Sequence, residues 1–406
     1  MRQPFNHPIR TIMTPGPVEA YPSVLRAMGT PILGQFDPAF LTIMDEIQEM
    51  LRTTFQTKNE QTFVIDGTSR AGLEAALIAM IEPGDKVLIP AYGRFAYLLV
   101  EICERAQADI ILLEKEWNSV FDETTIIEAI QIHQPKVVAM IHGETANGQM
   151  QPLANVGAYC QQHGHYLVVD MVATYSGVEV KVDEWGVDMA IAGTQKCLSV
   201  PSGMSLITYS PRVADLINQR YQKELGLGAN QRNANHISSN YLDLTQLQRY
   251  WSPERINHHT EATSMVYALH EGLRLYCNEG LAERAARHAL NDAAILAGLK
   301  AMGLAIYGEL ATKTPTVTPI IIPKNVDGED VRNMLLNDFG VEIASSFGPL
   351  AGKVWRIGNM GFSSRQENVL HVLSALEATL IYFNVPINIG QGVQAALAVY
   401  HNNNNH

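Results

Sequence analysis

Cysteine is scarce in this chain, four in 406 residues. Cys103, Cys160, Cys197 and Cys277 are scattered, with no CxxC spacing. That argues against a disulfide framework or a thiolate metal site and suits reduced thiols in a cytoplasmic protein. Positive charge is short as well: 29 Lys and Arg against 41 Asp and Glu leave a formal net charge of -12. Nucleic acid wants a basic face, so it is not expected as a partner. No apolar run approaches the length of a membrane span, and none follows a basic stretch near Met1, so neither an anchor nor a signal peptide is expected. The thirteen histidines include the pair His258-His259 but no HExxH spacing, and no metal is assigned. No repeat is visible.

What is present suits a large folded chain. Hydrophobic residues make up 47% and charged residues 17%, enough to bury a sizeable core. The pattern predicts an N-terminal arm over 1–30, a large domain over 31–260, a smaller α/β domain over 261–390 and a flexible tail over 391–406. Helical spacing of Phe40, Ile43, Met44, Ile47, Leu51 and Phe55 predicts a helix from Pro38 to Phe55. Short apolar strands then alternate with helices: Gln61–Ile65, Lys86–Pro90, Asp109–Leu113, Lys136–Ile141, Tyr166–Asp170, Met189–Ala192 and Met204–Tyr209 read as strands. This is the pattern of an α/β fold with a mostly parallel, seven-stranded sheet covered on both faces. Ligands on such sheets sit beyond the carboxyl ends of the strands.

Two residues stand at such ends. Asp170 closes the run Tyr166–Asp170, and Lys196 sits on the polar turn Gly193-Thr194-Gln195-Lys196. A lysine that forms a Schiff base with pyridoxal 5'-phosphate needs an acidic partner for the protonated pyridine nitrogen, so that the ring can act as an electron sink. The same two residues also read as a strand-end aspartate and a solvated lysine. Asp66-Gly67-Thr68-Ser69-Arg70 lies between a strand and a helix, where free amides and the helix dipole favour phosphate; it also reads as an ordinary N-cap turn. Arg356, in the apolar strand Lys353–Gly358, is the candidate for a substrate carboxylate, because a guanidinium fork pairs with it bidentately. A structural salt bridge is the other reading.

The order of these motifs along the chain decides between the readings. Thr14-Pro15-Gly16-Pro17, Leu33-Gly34-Gln35-Phe36-Asp37-Pro38, Asp66–Arg70, His142-Gly143-Glu144-Thr145, Val169–Ala173, Gly193–Lys196, His258-His259-Thr260 and Lys353–Gly358 together resemble the class V, fold-type I aminotransferases, in particular the alanine–glyoxylate and serine–pyruvate group. The resemblance implies a PLP-dependent transaminase in which Lys196 and Asp170 are catalytic. It implies that Thr68, Ser69, Arg70 and Gln195 surround the cofactor phosphate, that Phe95 lies on the ring face and that Thr145 bonds the ring oxygen. Gly16 falls at the substrate. Thr260 matches a phosphate ligand given by a second subunit, which implies a homodimer with shared sites. Other members often carry histidine where Arg70 stands. A cysteine desulfurase, of the same fold, would need a cysteine in Ser345–Leu350, and there is none.

Gln35 and Asn257 set the donor. In the alanine and serine enzymes the position of Asn257 is typically tyrosine, and that of Gln35 often histidine or small. Two amides offer donors and acceptors that suit a ureido group. They resemble the pair of the ureidoglycine–glyoxylate aminotransferases of purine breakdown. An alanine–glyoxylate or serine–pyruvate reaction is the alternative.

Overall fold

The computed structural model describes residues 6–228 and 231–403. In chain order its main elements are β1 (Thr11–Ile12), α1 (Pro22–Met28), α2 (Pro38–Phe55), β2 (Gln61–Asp66), α3 (Ser69–Met80), β3 (Lys86–Ala91), α4 (Arg94–Arg105), β4 (Asp109–Glu114), α5 (Glu123–His133) and β5 (Val137–Ile141). There follow β6 (Gly143–Glu144), β7 (Gln149–Met150), α6 (Ala154–His163), β8 (Tyr166–Asp170), β9 (Met189–Gly193), β10 (Met204–Tyr209), α7 (Pro211–Asn218), α8 (Leu244–Trp251) and α9 (Thr263–Glu279). The last are α10 (Leu281–Met302), β11 (Val317–Ile321), α11 (Gly328–Asp338), β12 (Val341–Glu342), β13 (Ala344–Ser345), β14 (Val354–Gly358), α12 (Gln366–Tyr382) and α13 (Gln391–Asn403). Among the described residues no helix is long and apolar enough to cross a membrane.

Seven strands form one sheet in the order β2-β10-β9-β8-β5-β3-β4. β10 alone runs against the direction of the other six strands, as the mostly parallel reading requires. Parallel strands end on one edge, so the segments after β2, β3, β5, β8 and β9 open together. The register Met204↔Asp66 and Ser205↔Gly193 sets the loop after β2 beside the turn after β9. Close packing completes this: a Cβ on Gly72 would stand 1.9 Å from Ser205 Oγ. Only glycine lets α3 lie so near β10, and that closeness aims the N-terminus of α3 at the turn.

A smaller core gathers Ile295, Leu299, Ile320, Trp355, Ile357 and Leu373 around the antiparallel sheet β11-β14-β13. The arm belongs partly to it, since Met13 lies in this core and β1 pairs with β12. Two expectations change. Val266, Leu269 and Leu273 of α9, past the border expected at 260, pack in the larger core. The stretch expected to be a flexible tail is helical over Gln391–Asn403. Gly392, Ala396 and Tyr400, spaced by four, bury one face, and Tyr400 donates to Asn291 Oδ1 at 2.6 Å. The asparagine-rich ending hid that face; residues 404–406 lie outside the described residues.

Candidate active site

Lys196 follows β9 on a turn held by Thr194, whose hydroxyl donates to the Pro201 carbonyl at 2.8 Å, and by Ser199 N–H, which donates to the Lys196 carbonyl at 2.9 Å. Its Nζ donates to the carbonyl of Pro15 in the arm. Gly16 has φ +104, and a Cβ there would stand 2.5 Å from Lys196 Cδ. A glycine is therefore needed both for the backbone and for the lysine to lie against the arm. Burial lowers the Lys196 ammonium to about 8; the Arg356 charge adds to this, and Cys197, Asp170 and Glu144 oppose it. An amine so close to neutral pH can act as nucleophile and as base.

Asp170 ends β8 in the middle of the sheet, paired with Ile141 and Ile191. Its Oδ1 accepts from Val172 N–H at 2.8 Å. Burial raises its carboxyl to about 6, against the pull of the Val172 amide and the Lys196 charge. It is therefore mostly ionised at neutral pH.

A cavity of about 300 Å³ opens here, lined by Thr68, Ser69, Arg70, Phe95, Thr145, Asp170, Gln195 and Lys196 among others. The structure thus brings together all the residues to which the sequence gives cofactor roles except Thr260. Thr68 precedes α3 without making a side-chain capping bond, so its hydroxyl is not spent on the helix. Gln195 Nε2 donates to Ser69 Oγ at 3.1 Å, which gathers amide and hydroxyl at the helix N-terminus. Arg70 is exposed there. The ring of Phe95 is half-buried and edge-on to Phe347, with 6.3 Å between centroids.

Arg356 is buried in β14. It donates to the Ser345 carbonyl at 2.8 Å from Nε and to the Thr145 carbonyl at 2.9 Å from Nη1, and its guanidinium lies 4.7 Å from the centre of the Phe347 ring. Its recorded partners are carbonyls and a ring rather than a carboxylate, unlike the salt bridge that sequence leaves open. Burial lowers it to about 10, and Glu144 counteracts this.

Gln35, Asn257 and Thr260 do not line this cavity. Asn257 and Thr260 are exposed, yet Gln35 Nε2 donates to Asn257 Oδ1 at 2.9 Å. The structure pairs the two amides and sets them on the surface of their own chain.

Sequence reasoning gave no role to Glu144 or Phe347. Glu144 is fully buried, and its two oxygens accept from Phe95 N–H at 2.7 Å and Ala146 N–H at 2.8 Å. It locks the segment after β3 to the segment after β5. Burial raises its carboxyl to about 7, with the two amides pulling down and Asp170 pushing up. The motif His142–Thr145 pointed to this place, although a carboxylate beside a loop ordinarily reads as solvated. No sequence signal marked Phe347.

These residues fit pyridoxal phosphate. The donor set holds an amine for an aldehyde, a carboxylate for a ring nitrogen, an aromatic face, and hydroxyls and an amide at a helix N-terminus for a phosphate.

Comparison with known proteins agrees with this geometry. Residues 25–369 match the family model described as aminotransferase class-V. The chain is 58% identical over 400 residues to the (S)-ureidoglycine–glyoxylate transaminase of Bacillus subtilis (strain 168), covering 97% of this chain and 96% of that protein. A crystal structure of the ureidoglycine–glyoxylate aminotransferase from Bacillus subtilis superposes with a TM-score of 0.94 at 57% identity, over 98% of this chain and 100% of that one. An alanine–glyoxylate aminotransferase structure from Nostoc sp. gives a TM-score of 0.88 at 40% identity, over 94% and 97% of the two chains.

Proposed function

The chain belongs to the class-V aminotransferase family, as a pyridoxal-phosphate enzyme of fold-type I, and we propose that it moves the amino group of (S)-ureidoglycine to glyoxylate, giving oxalurate and glycine in purine breakdown. Bound pyridoxal phosphate supplies an aldehyde for the amino group and a ring that spreads the electron pair released at the α-carbon. Thr68, Ser69 and Gln195 would hold its phosphate, Phe95 its face, Thr145 its ring oxygen and Asp170 its ring nitrogen. Lys196 Nζ would take the proton from the α-carbon of the donor and hand it to the carbon that carried the aldehyde, and would run the same transfer in reverse for glyoxylate. Arg356 holds the carboxylate common to ureidoglycine and glyoxylate.

The observation that carries the choice of donor is the Gln35–Asn257 bond. With Gln35 Nε2 bound to Asn257 Oδ1, the pair keeps Gln35 Oε1, buried and without a partner among the described residues, as an acceptor and Asn257 Nδ2 as a donor. An acceptor beside a donor matches the N–H and C=O of a ureido group. The side chains of alanine and serine offer no such match.

The test compares ureidoglycine with alanine and serine as donors. Asn257→Tyr is expected to lower kcat/KM for ureidoglycine relative to alanine by about fivefold to thirtyfold, because an unmatched polar group costs about 1–2 kcal/mol. Gln35→His shifts the ratio in the same direction, and the double variant shifts it further. Equal losses for all donors would return the enzyme to the alanine–glyoxylate reading.

The reading includes a cytoplasmic homodimer in which Asn257, Gln35 and Thr260 complete the partner's site. Support comes from the exposure of Asn257 and Thr260 away from their own cavity, and from Ile32 and Phe36, 72% and 59% exposed beside Gln35. The four cysteines are unpaired, which suits the cytoplasm. Mixing Lys196→Ala chains with Asn257→Tyr chains under exchange conditions is expected to restore about one quarter of wild-type activity, since half the dimers then hold one intact site. Activity no higher than the average of the separate variants would remove the shared site.

A further inference from the structure

Asp66, His259 and Glu261 each offer a ligand atom, and these atoms lie within 4.8 Å of one another. His259 Nε2 stands 3.3 Å from Asp66 Oδ2 and 3.6 Å from Glu261 Oε2. These are close charge pairs, and Asp66 Oδ2 also accepts from Ala262 N–H at 3.1 Å. Among the described residues, His259 Nε2, Asp66 Oδ1 and both oxygens of Glu261 have no hydrogen-bond partner. Glu261 is only 4% exposed. Beside it sits Tyr250, a residue 2% exposed, whose hydroxyl faces the Glu261 carboxyl. Glu261 is thus withdrawn from water, with the half-buried Asp66 and His259 gathered beside it. Buried charge is stable only when it is paired or binds a metal, and one imidazole between two carboxyl groups leaves both oxygens of Glu261 without a hydrogen bond among the described residues.

We propose that Asp66, His259 and Glu261 bind one divalent metal ion, zinc by the chemistry of the donors. One imidazole nitrogen and two carboxylate oxygens form a ligand set that zinc takes, and ligands held tetrahedrally at about 2.0–2.2 Å stand roughly 3.3 Å apart. The separations of 3.3 and 3.6 Å match that spacing. The other ring nitrogen, His259 Nδ1, lies 2.9 Å from His258 Nδ1, a contact that orients the imidazole. Sequence spacing assigned no metal because Asp66 lies far along the chain from His259, and only the fold joins them. The ion would tie the end of β2, where the phosphate loop begins, to the segment carrying Asn257 and Thr260. It takes no part in proton transfer at Lys196.

The full-length holoenzyme, purified without a chelator or an immobilised-metal column, is expected to hold about one zinc per chain by mass spectrometry of the digested metal. Chelation followed by zinc chloride should lower and then raise Tm by several degrees. His259→Ala and Glu261→Gln should each reduce bound zinc to below about a tenth per chain and abolish the Tm response, while the cofactor absorbance is kept. Glu261→Gln keeps the side-chain volume, and the wild-type metal content decides the matter even if one variant fails to fold. Wild-type protein that takes up no zinc, or variants that bind and respond as the wild type does, would overturn the proposal. So would a Glu261→Gln protein more stable than a zinc-free wild type, because a shared proton would then hold the two carboxyl groups.

Discussion

Lys196→Ala is expected to cut transamination by on the order of 10⁴-fold or more while leaving the fold intact, since a positioned base contributes about 10²–10⁴ and the same amine is the one proposed to hold the cofactor. Lys196 is the only lysine lining the cavity among the described residues. The Arg356 guanidinium keeps its proton at working pH and cannot take one from carbon. The fold should survive because the Lys196 side chain bonds only to the Pro15 carbonyl and lies half-buried at a cavity edge. Steady-state turnover gives the rate, and circular dichroism with Tm reports the fold. Added methylamine should return part of the rate, as a small amine can enter a site emptied of its own. Near-normal turnover in the variant would remove Lys196 from the chemistry altogether.

Arg356→Lys carries the second large effect. Three of its recorded bonds go to the carbonyls of Ser345 and Thr145, and these hold the guanidinium in one plane over Phe347. A fork fixed in this way meets a carboxylate with two parallel bonds, whereas an ammonium meets it as a point charge. Truncating one partner of a buried charge pair costs about 2–5 kcal/mol, so kcat/KM for ureidoglycine and for glyoxylate should each fall on the order of 10²-fold, most of it in KM. Both half-reactions must suffer together, because the carboxylate is common to both substrates. If KM for glyoxylate stays unchanged, Arg356 supports loops and does not bind substrate.

Arg356 also shows where sequence reasoning ends. An arginine inside Val354–Gly358 announces a buried, partnered cation, and that follows from residue type and apolar neighbours alone. Its partners, two carbonyls from 145 and 345, come from different parts of the chain, and nothing local predicts them. Glu144 repeats the lesson: the motif is legible, but its capture of the Phe95 and Ala146 amides depends on how β3 and β5 lie side by side.

By itself the sequence determined the alternation of strands and helices, the mostly parallel sheet, and Lys196 and Asp170 at strand ends. These follow from short-range periodicity and from the rule that parallel strands open on one edge. The tertiary structure alone decided that α9 packs in the larger core, that residues 391–403 form a helix, and that Gln35 meets Asn257 on the outside of its own chain. It alone gathered Asp66, His259 and Glu261. Periodicity is a property of neighbours in sequence. Core membership, amide pairing and ligand clustering join residues far apart along the chain, and only close packing brings those together.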